Sequence, residues 1–260
     1  MSSDIHDGVN MHYELSGSAD LPVLVFSNSL GANLGMWNEQ AEALDGHVRV
    51  LRYDTRGHGQ SGVGTVPFSI ADLALDVLRL LDFLKIERAS FCGLSMGGVI
   101  GQWLGIHAPG RLNRLVLCNT AAKIGTVETW NARIAIVRQE GLASIIPGTI
   151  ERWFTAEFRE QHQETIGQVR TMIETTDLVG YTACCAAIRD ADFRAEIATI
   201  PNPTLVIAGK DDPVTTPQDS QFLASTIPSA GYVELEAAHL SNLGAAREFN
   251  SALIGFLGRT

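Results

Sequence analysis

The chain has 260 residues, 45% of them hydrophobic, with 19 basic against 29 acidic side chains and a formal net charge of −10. That length can bury a core without disulfides or structural metal, and the acidic balance excludes the basic stripe of a nucleic-acid binder or a polybasic membrane patch. The N-terminal MSSDIHDG lacks a signal peptide's basic start and apolar run, no stretch is apolar enough to span a bilayer, and Cys92, Cys118, Cys184 and Cys185 show no metal-site spacing. A cytoplasmic protein with buried, reduced thiols and no metal or cofactor is expected.

Short β-rich runs alternate with longer amphipathic ones. Val9 to Leu15 reads as an edge strand, and Pro22 to Phe26 as a strand apolar on both faces. Met36 to Leu44 has helical spacing, and Val48 to Tyr53 is a further strand. Ser69 caps a helix predicted to run to Leu84, with Leu73, Val77, Leu80, Leu81 and Leu84 on one face. A strand at Ala89 to Cys92 ends abruptly in Gly93-Leu-Ser-Met-Gly-Gly98, followed by a helix from Met96 to His107 that Pro109-Gly110 closes. Leu112 to Cys118 is the next strand. The rhythm resumes with a strand at Thr204 to Ala208, a helix after Pro217, a strand at Tyr232 to Leu235 and a last helix from Asn242 to Leu257. This alternation predicts a doubly wound, mostly parallel sheet. Residues 119–200 hold helical patterns, such as Trp130 to Arg138 and Ile166 to Ile173, but no strand. They are expected to form a helical lid on a core made of 1–118 and 201–260.

Gly93-Leu-Ser-Met-Gly97 fits G-x-S-x-G at a strand-to-helix junction, which makes Ser95 the candidate nucleophile. The flanking glycines admit a turn too tight for side chains, and the helix beginning at Met96 adds its positive end. A serine hydroxyl needs a general base, and the chain has seven histidines. His6 and His12 lie at the N-terminal edge, where a solvated role is expected; His47, His107 and His162 sit in a turn, at a helix end and in a charged stretch. His58, in Arg56-Gly-His-Gly-Gln-Ser61, is expected to hydrogen-bond structurally. His239 follows the last strand, where sites of open α/β sheets collect, and is the candidate base. Asp211 and Asp212, after the Thr204 strand, are both candidates for the acid that orients it, and either gives the order Ser, Asp, His. Backbone N–H groups of Met96 and Leu30 are the candidate oxyanion hole.

The segments Asp54-Thr-Arg-Gly-His-Gly-Gln-Ser61, Gly93 to Gly98, Gly209-Lys-Asp-Asp-Pro-Val-Thr-Thr-Pro217 and His239 resemble the α/β-hydrolase superfamily across nearly the whole chain. In that pattern the acid stands three residues after the glycine, which selects Asp212. Many members have His-Gly where this chain has Asn28-Ser29. The strings at Phe26 to Gly31, Phe91 to Gly98, Leu117 to Ile124 and Ala237 to Asn242 are particularly similar to 3-oxoadipate enol-lactonases of bacterial protocatechuate and catechol breakdown. The resemblance implies a Ser-His-Asp triad, an acyl-enzyme and a small anionic lactone as partner, with no nucleic acid or membrane; the oligomeric state is left open. An acidic protein needs a local cation for such a substrate. Residues 119–200 offer Lys123, Arg133, Arg138, Arg152 and Arg159; Arg133, one helical turn from Trp130, is the first choice, with Trp130 and Trp153 as walls. The alternatives are an esterase or carbon–carbon bond hydrolase of the same fold, or a small-molecule receptor retaining the triad.

Overall fold

The computed structural model describes residues 2–6, 9–228 and 230–258. Its strands are β1 (Ser2–His6), β2 (Val9–Ser16), β3 (Val23–Ser27), β4 (Arg49–Tyr53), β5 (Ala89–Leu94), β6 (Leu112–Cys118), β7 (Thr204–Gly209) and β8 (Gly231–Leu235). Its helices are α1 (Asn38–Ala43), α2 (Ile70–Phe83), α3 (Met96–His107), α4 (Val127–Glu140), α5 (Ile146–Trp153), α6 (Ala156–Gln161), α7 (Gln163–Glu174), α8 (Leu178–Asp190), α9 (Pro217–Thr226), α10 (Ser241–Gly244) and α11 (Ala246–Leu257).

The described strands form one sheet in the order β1-β2-β4-β3-β5-β6-β7-β8. β1 and β2 run antiparallel to their neighbours, and the rest are parallel. Because side chains alternate along a strand, the sheet feeds two separate apolar clusters. Val25, Leu51, Phe91, Leu115 and Val206 pack on one face with Leu73, Val77 and Leu80 of α2 and Ile100 and Leu104 of α3. Leu24, Phe26, Val50, Val116 and Ile207 pack on the other with Trp37, Leu44 and, from α11, Phe249 and Leu253. The sheet is thus covered on both sides, as continuous apolar strands require.

Several elements start where side-chain chemistry dictates. Ser69 and Asp72 form a reciprocal capping box on α2, and Thr216 and Asp219 do the same on α9. The expected helix at Met36 to Leu44 is instead a 3-10 turn at Leu34–Trp37 followed by α1. The last helix is broken at Ala245, whose extended φ of −140° separates α10 from α11. The polar pentapeptide of β1 carries no apolar alternation and was not expected to be a strand.

Between β6 and β7 lie α4 to α8 and no strand. These helices contribute Ile134, Val137, Tyr181 and Cys184 to the first apolar cluster and Ile150, Trp153, Val169 and Ile173 to the second. The N-terminus of α8 meets the loop after β4 backbone to backbone: the Asp177 N–H donates to the Gly57 carbonyl at 2.9 Å. A Cβ placed on either Gly57 or Gly180 would lie 2.5 Å from the other glycine's Cα. All four cysteines are buried and free, with the Cys92 and Cys118 sulfurs 3.7 Å apart on neighbouring strands. No helix among the described residues is long and apolar enough to cross a membrane.

Candidate active site

Parallel strands bring the segments after β3, β5, β6, β7 and β8 to one end of the sheet, where open α/β proteins bind ligands. The turn after β5 carries Ser95. Ser95 sits at φ 57° and ψ −113°, a strained backbone for a non-glycine residue. Its N–H donates to the Cys118 carbonyl at 3.0 Å, and its carbonyl accepts from Thr120 Oγ1 at 2.8 Å. A Cβ on Gly93 would lie 2.1 Å from the Gly97 carbonyl oxygen, and one on Gly97 would lie 2.2 Å from the Ser27 carbonyl oxygen. Backbone therefore lies against both glycines, and a side chain at either flanking position would clash with it.

His239 and Asp212 are brought together: His239 Nδ1 donates to Asp212 Oδ2 at 2.8 Å, with both side chains buried. This leaves Nε2 as the ring's remaining acceptor. Asp212 receives four further bonds, from Asn119 Nδ2 (3.0 Å) and Thr215 Oγ1 (2.8 Å) at Oδ2, and from the Val214 and Thr215 N–H groups (2.8 and 3.2 Å) at Oδ1. Burial works to raise the Asp212 pKa, but the charge and hydrogen bond of His239, with those from Asn119 and Val214, outweigh it and hold the carboxyl below its ordinary range. Asp211 is exposed, while Asp212 is 3% exposed.

Asn119 was missed in the sequence, although it lies in the Leu117–Ile124 string. Its Nδ2 donates to Asp212 and to the Ala238 carbonyl (3.2 Å), and its Oδ1 accepts from Ser241 Oγ (2.5 Å). One amide thus ties the acid, the base loop and α10 to the end of β6. Thr215 was likewise not singled out, because its hydroxyl role depends on the turn that follows Asp212.

On the other side of the turn bearing Ser95, the Gly97 N–H donates to the Asn28 carbonyl at 3.1 Å, which docks the segment after β3 onto the start of α3. The N–H groups of Leu30 and Met96 have no acceptor among the described residues, so both are available to a developing oxyanion. His58 is fully buried in a hydrogen-bonding role, and His47, His107 and His162 are exposed. The expectation for His12 is corrected: it is not solvated, because its Nδ1 bonds Asp54 Oδ2 at 2.7 Å with the imidazole largely covered. The side chain of His6 lies outside the described residues.

Trp130 and Arg133 line a cavity of about 610 Å³ together with Arg152, Ile124, Pro213 and Val214. The last two immediately follow Asp212. Trp153 does not line it; its ring lies 6.2 Å from the His239 imidazole, with which it packs. Arg133 Nε donates to the Tyr181 hydroxyl (2.8 Å) and one terminal nitrogen to Thr149 Oγ1 (3.2 Å). Arg152 makes no hydrogen bond or ion pair among the described residues, and burial followed by repulsion from Arg133 lowers its pKa, while Tyr181 and Glu151 act in the opposite sense. Lys123 lies 3.8 Å from Asp192, and Arg138 lines a different cavity between α4 and α8.

The chain is similar to known proteins over nearly its whole length. A family model described as the alpha/beta hydrolase fold matches residues 22–246. The chain is 44% identical to 3-oxoadipate enol-lactonase 2 of Acinetobacter baylyi over 96% of its length and 94% of the relative's. It is 40% identical to 3-oxoadipate enol-lactonase 1 of the same organism over equal shares. The crystal structure of the enol-lactonase from Burkholderia xenovorans LB400 superposes with a TM-score of 0.97 at 43% identity, covering all of both chains.

Proposed function

The chain belongs to the α/β-hydrolase fold family and is a hydrolase, and we propose that it converts 3-oxoadipate enol-lactone into 3-oxoadipate in the cytoplasm. The observation that carries this reading is the pair of guanidinium groups, Arg133 and Arg152, in a cavity bordered by the residues after Asp212. An enol-lactone bearing a carboxylate arm supplies the anion that the unpaired Arg152 lacks. We assign residues 119–200 as the lid that carries this cation pair above the core.

In the proposed reaction Ser95 Oγ attacks the lactone carbonyl while His239 Nε2 takes its proton, and Asp212 stabilises the resulting imidazolium. The tetrahedral oxyanion is received by the Leu30 and Met96 N–H groups. Collapse breaks the ring carbon–oxygen bond and expels an enolate, a better leaving group than an alkoxide. The enolate takes the proton from His239 and tautomerises to the ketone, leaving the acyl group on Ser95. Water, deprotonated by His239, then attacks the acyl carbon and frees 3-oxoadipate and the serine. The test is ultraviolet-monitored loss of the enol-lactone, with simple esters and ring-fission diketones as comparison substrates. The lactone is expected to give the highest kcat/KM, and Ser95→Ala to remove turnover while leaving thermal unfolding unchanged. Near-normal turnover by that variant ends the assignment of Ser95; preference for a diketone or a simple ester ends the assignment of the substrate.

A further inference from the structure

We propose that His58 is a positioning residue for the oxyanion hole, acting through Gly31 to hold the Leu30 N–H in place. The inference rests on the assignment of Leu30 as an oxyanion donor. Ser29 to Ala32 form a tight turn closed by the Ala32 N–H on the Ser29 carbonyl at 3.1 Å, with Gly31 at φ +83°. Only glycine adopts that φ without strain. Of the four N–H groups in the turn, three are used: Ser29 faces Met36 Sδ at 3.5 Å, Gly31 donates to His58 Nε2 at 2.9 Å, and Ala32 closes the turn. Leu30 alone keeps a free donor. The Gly31 bond holds the peptide plane that follows Leu30, while the plane that carries the Leu30 N–H is held through its Ser29 carbonyl by Ala32; His58 thus fixes one side of Leu30 and the turn closure the other, and the direction of the Leu30 N–H depends on both.

His58 is itself locked. Its Nδ1 donates to the Arg56 carbonyl at 2.9 Å, which leaves Nε2 as a lone-pair acceptor for Gly31. The imidazole is fully buried, so the neutral ring is the favoured form. The loop that carries it makes a second tie to the same segment, since Asp54 Oδ1 accepts from the Leu34 N–H at 2.7 Å. Tyr181 and Ile173 cover Gly31 from outside, with the Tyr181 ring 3.3 Å from where a Cβ would stand. The turn after β3 is therefore templated by the 54–62 loop on one side and by α7 and α8 on the other. In this proposal His58 itself makes no substrate contact and acts on the reaction only through the backbone of the turn.

Two substitutions separate positioning from bulk stability. In His58→Gln the side-chain oxygen reaches the Nε2 position and still accepts from Gly31; in His58→Asn the shorter amide reaches the Nδ1 position and leaves Gly31 without an acceptor. Turnover of the enol-lactone and of 4-nitrophenyl acetate is measured for both, with a boronic acid as transition-state analogue. Loss of a whole oxyanion donor costs about 100- to 1,000-fold in kcat, so misdirecting one should cost about 10- to 100-fold in His58→Asn, with KM within about threefold and boronate affinity falling in parallel. His58→Gln should recover most of kcat. Equal kcat in the two variants, or wild-type kcat in His58→Asn, overturns the proposal. If His58→Asn does not fold, nitrogen NMR of the wild-type imidazole decides: a proton on Nδ1 is expected, and one on Nε2 refutes the Gly31 bond. Absence of wild-type lactone turnover alongside ester turnover overturns the lactonase reading but leaves the His58 comparison intact.

Discussion

Replacing Arg152 with alanine separates the cation's role in binding from any role in folding. The side chain is half-buried, makes no hydrogen bond or ion pair among the described residues, and has its pKa lowered by burial and then by Arg133, against the smaller opposing pull of Tyr181 and Glu151. A carboxylate arriving between the two guanidiniums relieves that repulsion and makes charge-assisted hydrogen bonds. Such bonds contribute about 1.5–3 kcal/mol, and at about 1.4 kcal/mol per factor of ten the loss is about 10- to 150-fold in affinity. Arg152→Ala should therefore raise KM for the anionic enol-lactone by that factor with kcat little changed. The neutral methyl ester of the same lactone should lose almost nothing. Thermal unfolding should stay level or rise slightly, because the substitution removes an unpaired half-buried charge. The assay is steady-state kinetics on the two lactones, with scanning calorimetry on the same protein. Equal losses on both lactones, or a clear fall in Tm, would show that Arg152 supports the fold and refute the reasoning. Arg133→Ala is a harder test to read, since it also strips the Tyr181 hydroxyl of its donor.

Two other outcomes are expected. Asn119→Ala removes the amide shared by Asp212 and the Ala238 carbonyl; kcat should fall about tenfold and urea melts should show a loss of about 1–3 kcal/mol, whereas unchanged kcat would mean the remaining four bonds orient Asp212 unaided. Burial lowers the His58 pKa below its ordinary 6.5 more strongly than the Arg56 carbonyl and the charges of Asp54 and Asp177 raise it. The unfolded chain thus binds this proton more readily, so the stability His58 contributes is complete above pH 6.5 and lost as pH falls from there toward the folded value. Urea melts between pH 7.5 and 5 should show a shallower slope for His58→Gln than for the wild type; identical slopes would exclude the effect.

Legibility in the sequence tracked how local the determining chemistry is. α3 and β6 were read at their observed bounds because Gly93 to Gly98 forces the chain from strand to helix, and Pro109-Gly110 ends that helix within one turn. Ser69 and Asp72 cap α2 within three residues of each other, so one short string carries the signal. β1 escaped because a polar edge strand lacks the alternation that marks a half-buried one. The break at Ala245 escaped because the stretch from Asn242 to Leu257 holds no proline to mark it. Among candidate site residues, Ser95 and His239 follow strands and were singled out by position, whereas position left Asp211 and Asp212 both open and the family resemblance chose between them. Asn119, Thr215 and the isolation of Arg152 depend on what lies opposite in space. His12 shows the same limit from the other direction, since nothing near it in sequence announces Asp54.

The backbone contact between Gly57 and Gly180 constrains how the chain can vary. Where two side chains crowd each other, enlarging one can be offset by trimming its partner. Here each position is already at the smallest residue there is, so neither has anything left to give up. A methyl group gained at either site must be accommodated by parting the two backbones, and a shift of α8 would carry Tyr181 away from Gly31 and from Arg133. Two hydrogen atoms far apart in the chain thus set how closely α8 approaches the loop after β4.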